Sequence, residues 1–173
     1  DTKNNYVFVD IDQDLKEIAE TYLLEKELED NKSFFPQPAR RFLSRDKRQY
    51  DVIFLDAYHG ASIPDHLVTK EFFKSLKDRL EPDGALVANF IMSPRFESAF
   101  SRNLYATFSS VFWPTSRQIM GQFDAGVGRL GETDNRDSKR NVMHIYFNGP
   151  GPEEARIYTD VVNRATLEVD PGL

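Results

Sequence analysis

Two carboxylates stand at the ends of apolar runs, where a parallel sheet would present them to a ligand. Asp10 follows the run Tyr6 to Val9, and Asp56 ends the run that begins at Tyr50. A carboxylate at the carboxyl end of a strand can accept hydrogen bonds from two vicinal hydroxyls, attract a cation and take up a proton. Two simpler interpretations stay open: Asp10 caps the next helix or is merely solvated, and Asp56 only ends its strand and contacts a ligand. Neighbouring Asp12 is interpreted as the helix cap.

The other residue types that carry chemistry form no pattern of their own. The chain has no cysteine, which excludes disulfides, thiolate zinc sites and cysteine nucleophiles. Its three histidines, His59, His66 and His144, are too scattered for a metal-binding motif. No serine stands in the Gly-x-Ser-x-Gly setting of a hydrolase nucleophile. We therefore predict no metal site.

Composition places the chain among globular proteins. It has 173 residues, of which 40% are hydrophobic and 13% aromatic, enough for one core, so we predict a single domain over residues 1–173. The net charge of -6 and the pI near 5.1 argue against nucleic acid or an anionic bilayer as partner. No apolar run reaches the length of a membrane span, and no signal peptide opens the chain. We expect a cytoplasmic protein.

Periodicity predicts alternating strands and helices. Short apolar runs predict strands at Tyr6–Val9, Ser33–Phe35, Val52–Leu55, Ala85–Met92, Ser116–Met120 and Asn141–Phe147. Helical spacing predicts helices at Gln13–Leu28, Thr69–Leu80 and Phe96–Phe112, one turn at Ala39–Leu43 and a last helix at Glu153–Arg164. The first helix should bury one apolar face, and the strand at Val52 should be buried on both faces. The glycine-rich stretch from Asp124 to Arg140 is interpreted as a mobile loop.

This order predicts an α/β fold: a Rossmann-like, doubly wound, mostly parallel sheet with an antiparallel pair of strands at its carboxyl-terminal edge. We expect the strands at Tyr6, Val52 and Leu86 to lie parallel in one sheet. Asp10 and Asp56 should then lie at the same edge of that sheet.

Three segments resemble the polyamine aminopropyltransferases, the spermidine synthase branch of the S-adenosylmethionine-dependent superfamily. They are Val9-Asp10-Ile11-Asp12-Gln13, then Pro38 to Leu43 with Tyr50 to Tyr58, then Phe72-Phe73 to Leu80-Glu81-Pro82-Asp83-Gly84-Ala85-Leu86-Val87. The resemblance covers about Asn5 to Asn148 and is closest to a subgroup with Asp-Ala-aromatic and Ser-Ile-Pro, here Asp56-Ala57-Tyr58 and Ser62-Ile63-Pro64.

The resemblance implies S-adenosylmethionine or its decarboxylated form as co-substrate, a small amine as acceptor and a homodimer. Asp10 would hold the ribose hydroxyls of the nucleoside. Asp56 would be the catalytic residue that holds or deprotonates the attacking amine. Further cofactor contacts would fall on Gln37, Ala39, Ala57 and Tyr58.

Three departures from the family pattern keep other functions open. The chain begins at the family's second strand, so its first strand is expected to be missing. Pro38 stands where the family has an aspartate that contacts adenine, which leaves Gln37 as a substitute. His59 replaces a second aspartate that holds polyamine nitrogens. A non-catalytic remnant that serves packing or self-association, and a methyltransferase with the same cofactor, are the alternatives.

Overall fold

A computed structural model describes residues 3–58, 63–120 and 140–149. Within them the strands are Tyr6–Asp10 (β1), Lys32–Pro36 (β2), Tyr50–Leu55 (β3), Leu80–Met92 (β4), Ser116–Met120 (β5) and Arg140–Phe147 (β6). The helices are Leu15–Ile18 (α1), continued by a π-helical segment at Ala19–Leu24, then Ala39–Arg45 (α2), Lys70–Lys77 (α3) and Ala99–Ser109 (α4). A 3-10 turn at Asp65–Leu67 precedes α3.

The strands form two sheets. Among the described strands, β1 pairs only with β2, in parallel, while β3, β4, β6 and β5 follow one another in a second sheet. β3 and β4 are parallel, and β6 is antiparallel to both of its neighbours. The predicted α/β class and antiparallel edge pair are confirmed. The prediction that β1 shares a sheet with β3 and β4 is wrong, because no described strand lies between β1 and β3.

The core lies on one face of the larger sheet. Every second residue from Leu86 to Met92 is fully buried. The ring of Phe90 lies 5.3 Å from that of Phe108 on α4 and 6.2 Å from that of Phe73 on α3, measured between centroids. This aromatic contact fixes the two helices on the sheet.

β3 is buried on one face only. Leu55 is buried, whereas Val52 is 47% and Phe54 74% exposed. The predicted burial on both faces is therefore wrong, although the parallel pairing that it implied is right. An apolar run shows that both faces of a strand can be buried. In the described part of the chain, other residues pack against only one face of β3.

The helix after β1 also differs from its prediction. It extends over Leu15–Leu24 rather than to Leu28, and it buries none of its residues. Tyr22 and Leu23, at predicted core positions, are 76% and 75% exposed. The amphipathic pattern is real, but no described element packs against the apolar face.

Thr69 caps α3: its hydroxyl accepts a hydrogen bond from the backbone N–H of Phe72 at 3.3 Å. Predictions for 124–139 and 153–164, as well as for His59, lie outside the described residues. In the described ranges, no helix has the length and hydropathy that crossing a bilayer requires.

Candidate functional site

A cleft of about 1170 Å³ lies between β1 and β3, and it brings several of the predicted site residues together. Both carboxylates, Asp10 and Asp56, line it, as do Ala39 and Ala57. Residues of both strands line it, together with residues of β2, α2 and α3. Gln37 and Tyr58 are not among the described residues that line this cleft.

Asp56 follows the last residue of β3. Its carboxylate is exposed, and Oδ1 accepts a hydrogen bond from the side-chain amide Nδ2 of Asn89 on β4 at 3.0 Å. The same Nδ2 donates to Oδ1 of Asn141 on β6 at 3.2 Å. One oxygen of Asp56 is therefore held from the neighbouring strand, and the carboxylate still faces the cleft.

Tyr58 joins the segment after β3 to the edge of β4. Its hydroxyl donates to the carbonyl of Asn89 and accepts from the backbone N–H of Ile91, both at 2.7 Å. Burial, with a smaller contribution from the charge of Asp56, raises the pKa of Tyr58 to about 12, so the hydroxyl keeps its proton at neutral pH. The hydroxyl of Tyr58 therefore attaches the segment after β3 to β4. A cofactor contact by Tyr58 stays a prediction.

Asp10 ends β1 and begins two successive side-chain turns. Its Oδ1 accepts the backbone N–H of Asp12 at 2.9 Å, and Oδ1 of Asp12 accepts that of Asp14 at 3.0 Å. Such turns are the usual way in which aspartate leads a chain from a strand into a helix. Neither turn caps α1, whose N-cap is Asp14, so the interpretation of Asp10 or Asp12 as the helix cap is wrong. The turn engages one oxygen of Asp10 and leaves the other for a ligand.

The segment between β2 and α2 holds the other predicted contacts. Gln37 is half-buried, and its backbone N–H donates to the carbonyl of Phe35 at 2.9 Å. Pro38 precedes the first turn of α2, and Ala39 begins it. Ala39 lies at the cleft wall.

Sequence reasoning did not identify Asn89 and Asn141. The only signal was a polar residue inside the apolar run Leu86–Met92, which in a strand more often marks an edge than a site. Their meeting depends on strand register, because Leu55 pairs with Ala88 and so brings Asp56 beside Asn89.

Parallel strands with helices between them place the chain in the Rossmann-like α/β class, and comparison with solved structures gives the fold of the S-adenosylmethionine-dependent methyltransferases. A spermidine synthase solved in complex with the transition-state analogue AdoDATO superposes with a TM-score of 0.63 at 18% identity, covering 98% of this chain and 60% of that one. Human methyltransferase-like protein 13, solved with SAH, gives 0.63 at 17% identity over 90% and 65% of the two chains. These likenesses establish the fold.

The family follows from the sequence comparison. Residues 1–120 match the model of the spermine/spermidine synthase domain, and the chain belongs to that family. A probable polyamine aminopropyl transferase of Bifidobacterium longum is 31% identical over 180 residues, which are 92% of this chain and 38% of that protein. The chain thus spans well under half the length of this relative.

Proposed function

We propose that this chain acts as a spermidine synthase-like aminopropyltransferase, which moves an aminopropyl group from decarboxylated S-adenosylmethionine to an amine. The observation that carries the proposal is the pair Asp10 and Asp56, each at the carboxyl end of a parallel strand and both lining one cleft. Ligands of open α/β sheets bind beyond the carboxyl ends of the strands. Family membership and the names of the relatives support the reaction class.

Asp10 would bind the nucleoside. Its side chain has one oxygen engaged with the N–H of Asp12 and a second that can accept ribose hydroxyls. A charged acceptor makes stronger hydrogen bonds than a neutral one, and the fixed turn orients it before the ligand arrives. Gln37, Ala39, Ala57 and Tyr58 are proposed as further contacts on the same nucleoside.

Asp56 would act on the amine. Its carboxylate attracts the protonated amine and takes one proton, which leaves a nitrogen lone pair. The lone pair attacks the carbon next to the sulfonium, a new C–N bond forms, and the C–S bond breaks with its electrons passing to sulfur. The products are an aminopropylated amine and methylthioadenosine, and Asp56 carries the released proton.

Calorimetric titration tests the binding step. We expect decarboxylated S-adenosylmethionine and methylthioadenosine to bind and to raise the unfolding temperature, since a ligand at one hundred times its Kd stabilises the native state by about 2.7 kcal/mol. Turnover with a set of amines then tests the reaction. Binding of S-adenosylmethionine with transfer of a methyl group would instead favour a methyltransferase.

A protein that binds none of the three nucleosides would support the non-catalytic alternative. Pro38 and His59, which depart from the family at two substrate-contact positions, are the sequence reasons for making this measurement first. The proposal also includes a cytoplasmic location and a homodimer. Gel filtration tests whether the protein is a homodimer.

A further inference from the structure

The side chain of Asn89 joins three strands of the larger sheet. Its Nδ2 donates to Oδ1 of Asp56 at 3.0 Å and to Oδ1 of Asn141 at 3.2 Å. A primary amide has two N–H bonds, so both are used. Asp56 follows β3, Asn89 lies in β4 and Asn141 in β6, and the three polar groups form one row across the strands.

The charge of Asp56 fixes which way the amide points. An ionised carboxylate only accepts hydrogen bonds, so a reversed amide would set the oxygen of Asn89 against it. In the observed orientation Oδ1 of Asn89 is buried and has no hydrogen-bond partner among the described residues. A buried acceptor without a partner is costly, and its presence inside an apolar strand requires an explanation.

Strand register brings these groups together. Leu55 pairs with Ala88, which sets Asp56 next to Asn89, and Asn141 lies diagonally from Asn89 on the antiparallel neighbour β6. The pairing of β3 with β4 ends at Leu55. After it, the hydroxyl of Tyr58 donates a hydrogen bond to the carbonyl of Asn89 on β4. The side chains of Asp56 and Tyr58 are thus both held at Asn89, the first by its side-chain amide and the second by its backbone carbonyl.

We propose that Asn89 is a positioning residue for the Asp56 carboxylate. By holding Oδ1, it selects one rotamer of an otherwise exposed side chain and directs Oδ2 toward the amine. An exposed aspartate without this contact would sample other staggered rotamers, and small errors in placing a reacting group reduce rates strongly. The inference rests on the proposed role of Asp56 and adds the residue that orients it.

Kinetics of three variants of the protein test the inference. Asn89→Ala should lower kcat at least tenfold and change the KM for the donor less than threefold. Asn89→Asp keeps the shape but sets a like charge beside Asp56, so kcat should fall at least as far. Asn89→Gln keeps the donor and should restore part of kcat. An Asn89→Ala variant that folds and keeps kcat within twofold of the unmodified protein would overturn the proposal.

Asn148→Ala is the matched control. Asn148 also uses its side chain twice, donating to the carbonyl of Glu81 at 2.9 Å and accepting from the hydroxyl of Tyr146 at 3.2 Å, away from Asp56 in the same sheet. It should lower the unfolding temperature with little effect on kcat. An equal loss of kcat in Asn148→Ala and Asn89→Ala would show a merely structural effect and overturn the proposal.

A second measurement does not depend on turnover. NMR couplings across Cα–Cβ of Asp56 should report one χ1 rotamer in the unmodified protein and an average in Asn89→Ala. Averaging already in the unmodified protein would overturn the inference. A single rotamer in a protein without transferase activity would instead support the positioning and reject the proposed reaction.

Discussion

Asp10 and Asp56 carry the same charge but are held differently. Asp10 is bound by a backbone N–H two residues ahead, whereas Asp56 is bound by a side chain on another strand. A contact within one turn depends only on local sequence, and a contact between strands depends on the assembled sheet. The two residues should therefore fail in different ways when changed.

We expect Asp56→Asn to lower kcat by roughly 10² to 10⁴, the usual contribution of a positioned acid or base, because the amide keeps the shape but loses the charge and the proton affinity. Nucleoside affinity should change little. Parallel kinetics and calorimetry check both statements, and full activity in the variant would contradict the role.

Asp10→Ala should weaken nucleoside binding instead. Hydrogen bonds to a charged acceptor contribute about 1.5 to 3 kcal/mol each, so the Kd should rise at least tenfold. At saturating donor, kcat should stay close to that of the unmodified protein. An unchanged Kd would leave Asp10 with only its side-chain turn to Asp12.

Asp46, at the end of α2, is the centre of a second charged group. Arg48 donates to both of its oxygens, at 2.9 and 2.8 Å, and the hydroxyl of Tyr50 donates to it as well. Hydrogen bonds from Arg48, then from Tyr50, hold the pKa of Asp46 well below its ordinary range despite partial burial. The ionised form is therefore the one that the folded state favours.

This depressed pKa predicts the sign of a pH effect. The contribution of Asp46 is fully present above its unfolded pKa of about 3.9 and is lost as pH falls toward the lower folded value. Asp46→Asn should cost about 1 kcal/mol at pH 7, a value reduced for the half-exposed Arg48, and the difference should shrink below pH 4. Urea unfolding across this range measures it. Asp51→Asn, a change of an exposed carboxylate, is the control and should stay within about 0.5 kcal/mol.

At the scale of elements, Gly84 permits the contact between β3 and β4. A Cβ at this position would lie 2.9 Å from the carbonyl oxygen of Tyr50 and 3.0 Å from the backbone nitrogen of Glu81. The pairing register shifts here, between Tyr50 and Val52, and the strands approach too closely for any side chain.

We expect Gly84→Ala to lower the free energy of unfolding by about 1 to 3 kcal/mol, because backbone atoms must move to admit the methyl group. Gly149→Ala is the comparison: its Cβ would meet a carboxylate oxygen of Asp83 at 3.1 Å, which can rotate away, and the carbonyl oxygen of Pro82 at 3.2 Å, a wider approach than any of the three backbone contacts at Gly84. Its effect should be smaller. Equal midpoints for the two variants in denaturant would contradict this account.

Apolar runs located the elements but not their partners. β5 was predicted with its observed ends, and β6 differs from its prediction by one residue at one end. β6 is largely apolar from Val142 to Phe147, so local sequence specifies it. β5 has only Ile119 and Met120 as apolar residues. The split into two sheets and the free face of β3 could not be predicted, since pattern shows which face can be buried and not whether an element arrives to cover it.

The site was predictable to the same extent. Asp10 and Asp56 could be found because strand ends can be read locally. Asn89 could not, because its contact joins residues 33 positions apart through the register of two parallel strands. Tyr58 was found as a residue, but the two hydrogen bonds of its hydroxyl to β4 depend on the same register.

At the scale of the whole molecule, the cleft lies between the two sheets, which are connected by side-chain packing. No strand pairing joins β1 to β3 in the described ranges. α2 provides part of the link, since the ring of Phe42 lies 5.1 Å from that of Phe35 on β2, centroid to centroid. A ligand held by Asp10 on one side and Asp56 on the other would add a second connection.

Binding should therefore slow amide hydrogen exchange on both sides of the cleft together. With methylthioadenosine bound, we expect slower exchange at Val7–Val9 in β1 and at Ile53–Leu55 in β3, because opening of either side must first break contacts to the shared ligand. In the Asp10→Ala variant, the same concentration of methylthioadenosine should no longer slow exchange in either strand. This includes β3, although the substituted residue lies in β1. Exchange measured by mass spectrometry in the free and bound protein checks this. Slowing in β1 alone would mean that the nucleoside contacts one sheet, and the cleft would then not be the shared site of Asp10 and Asp56.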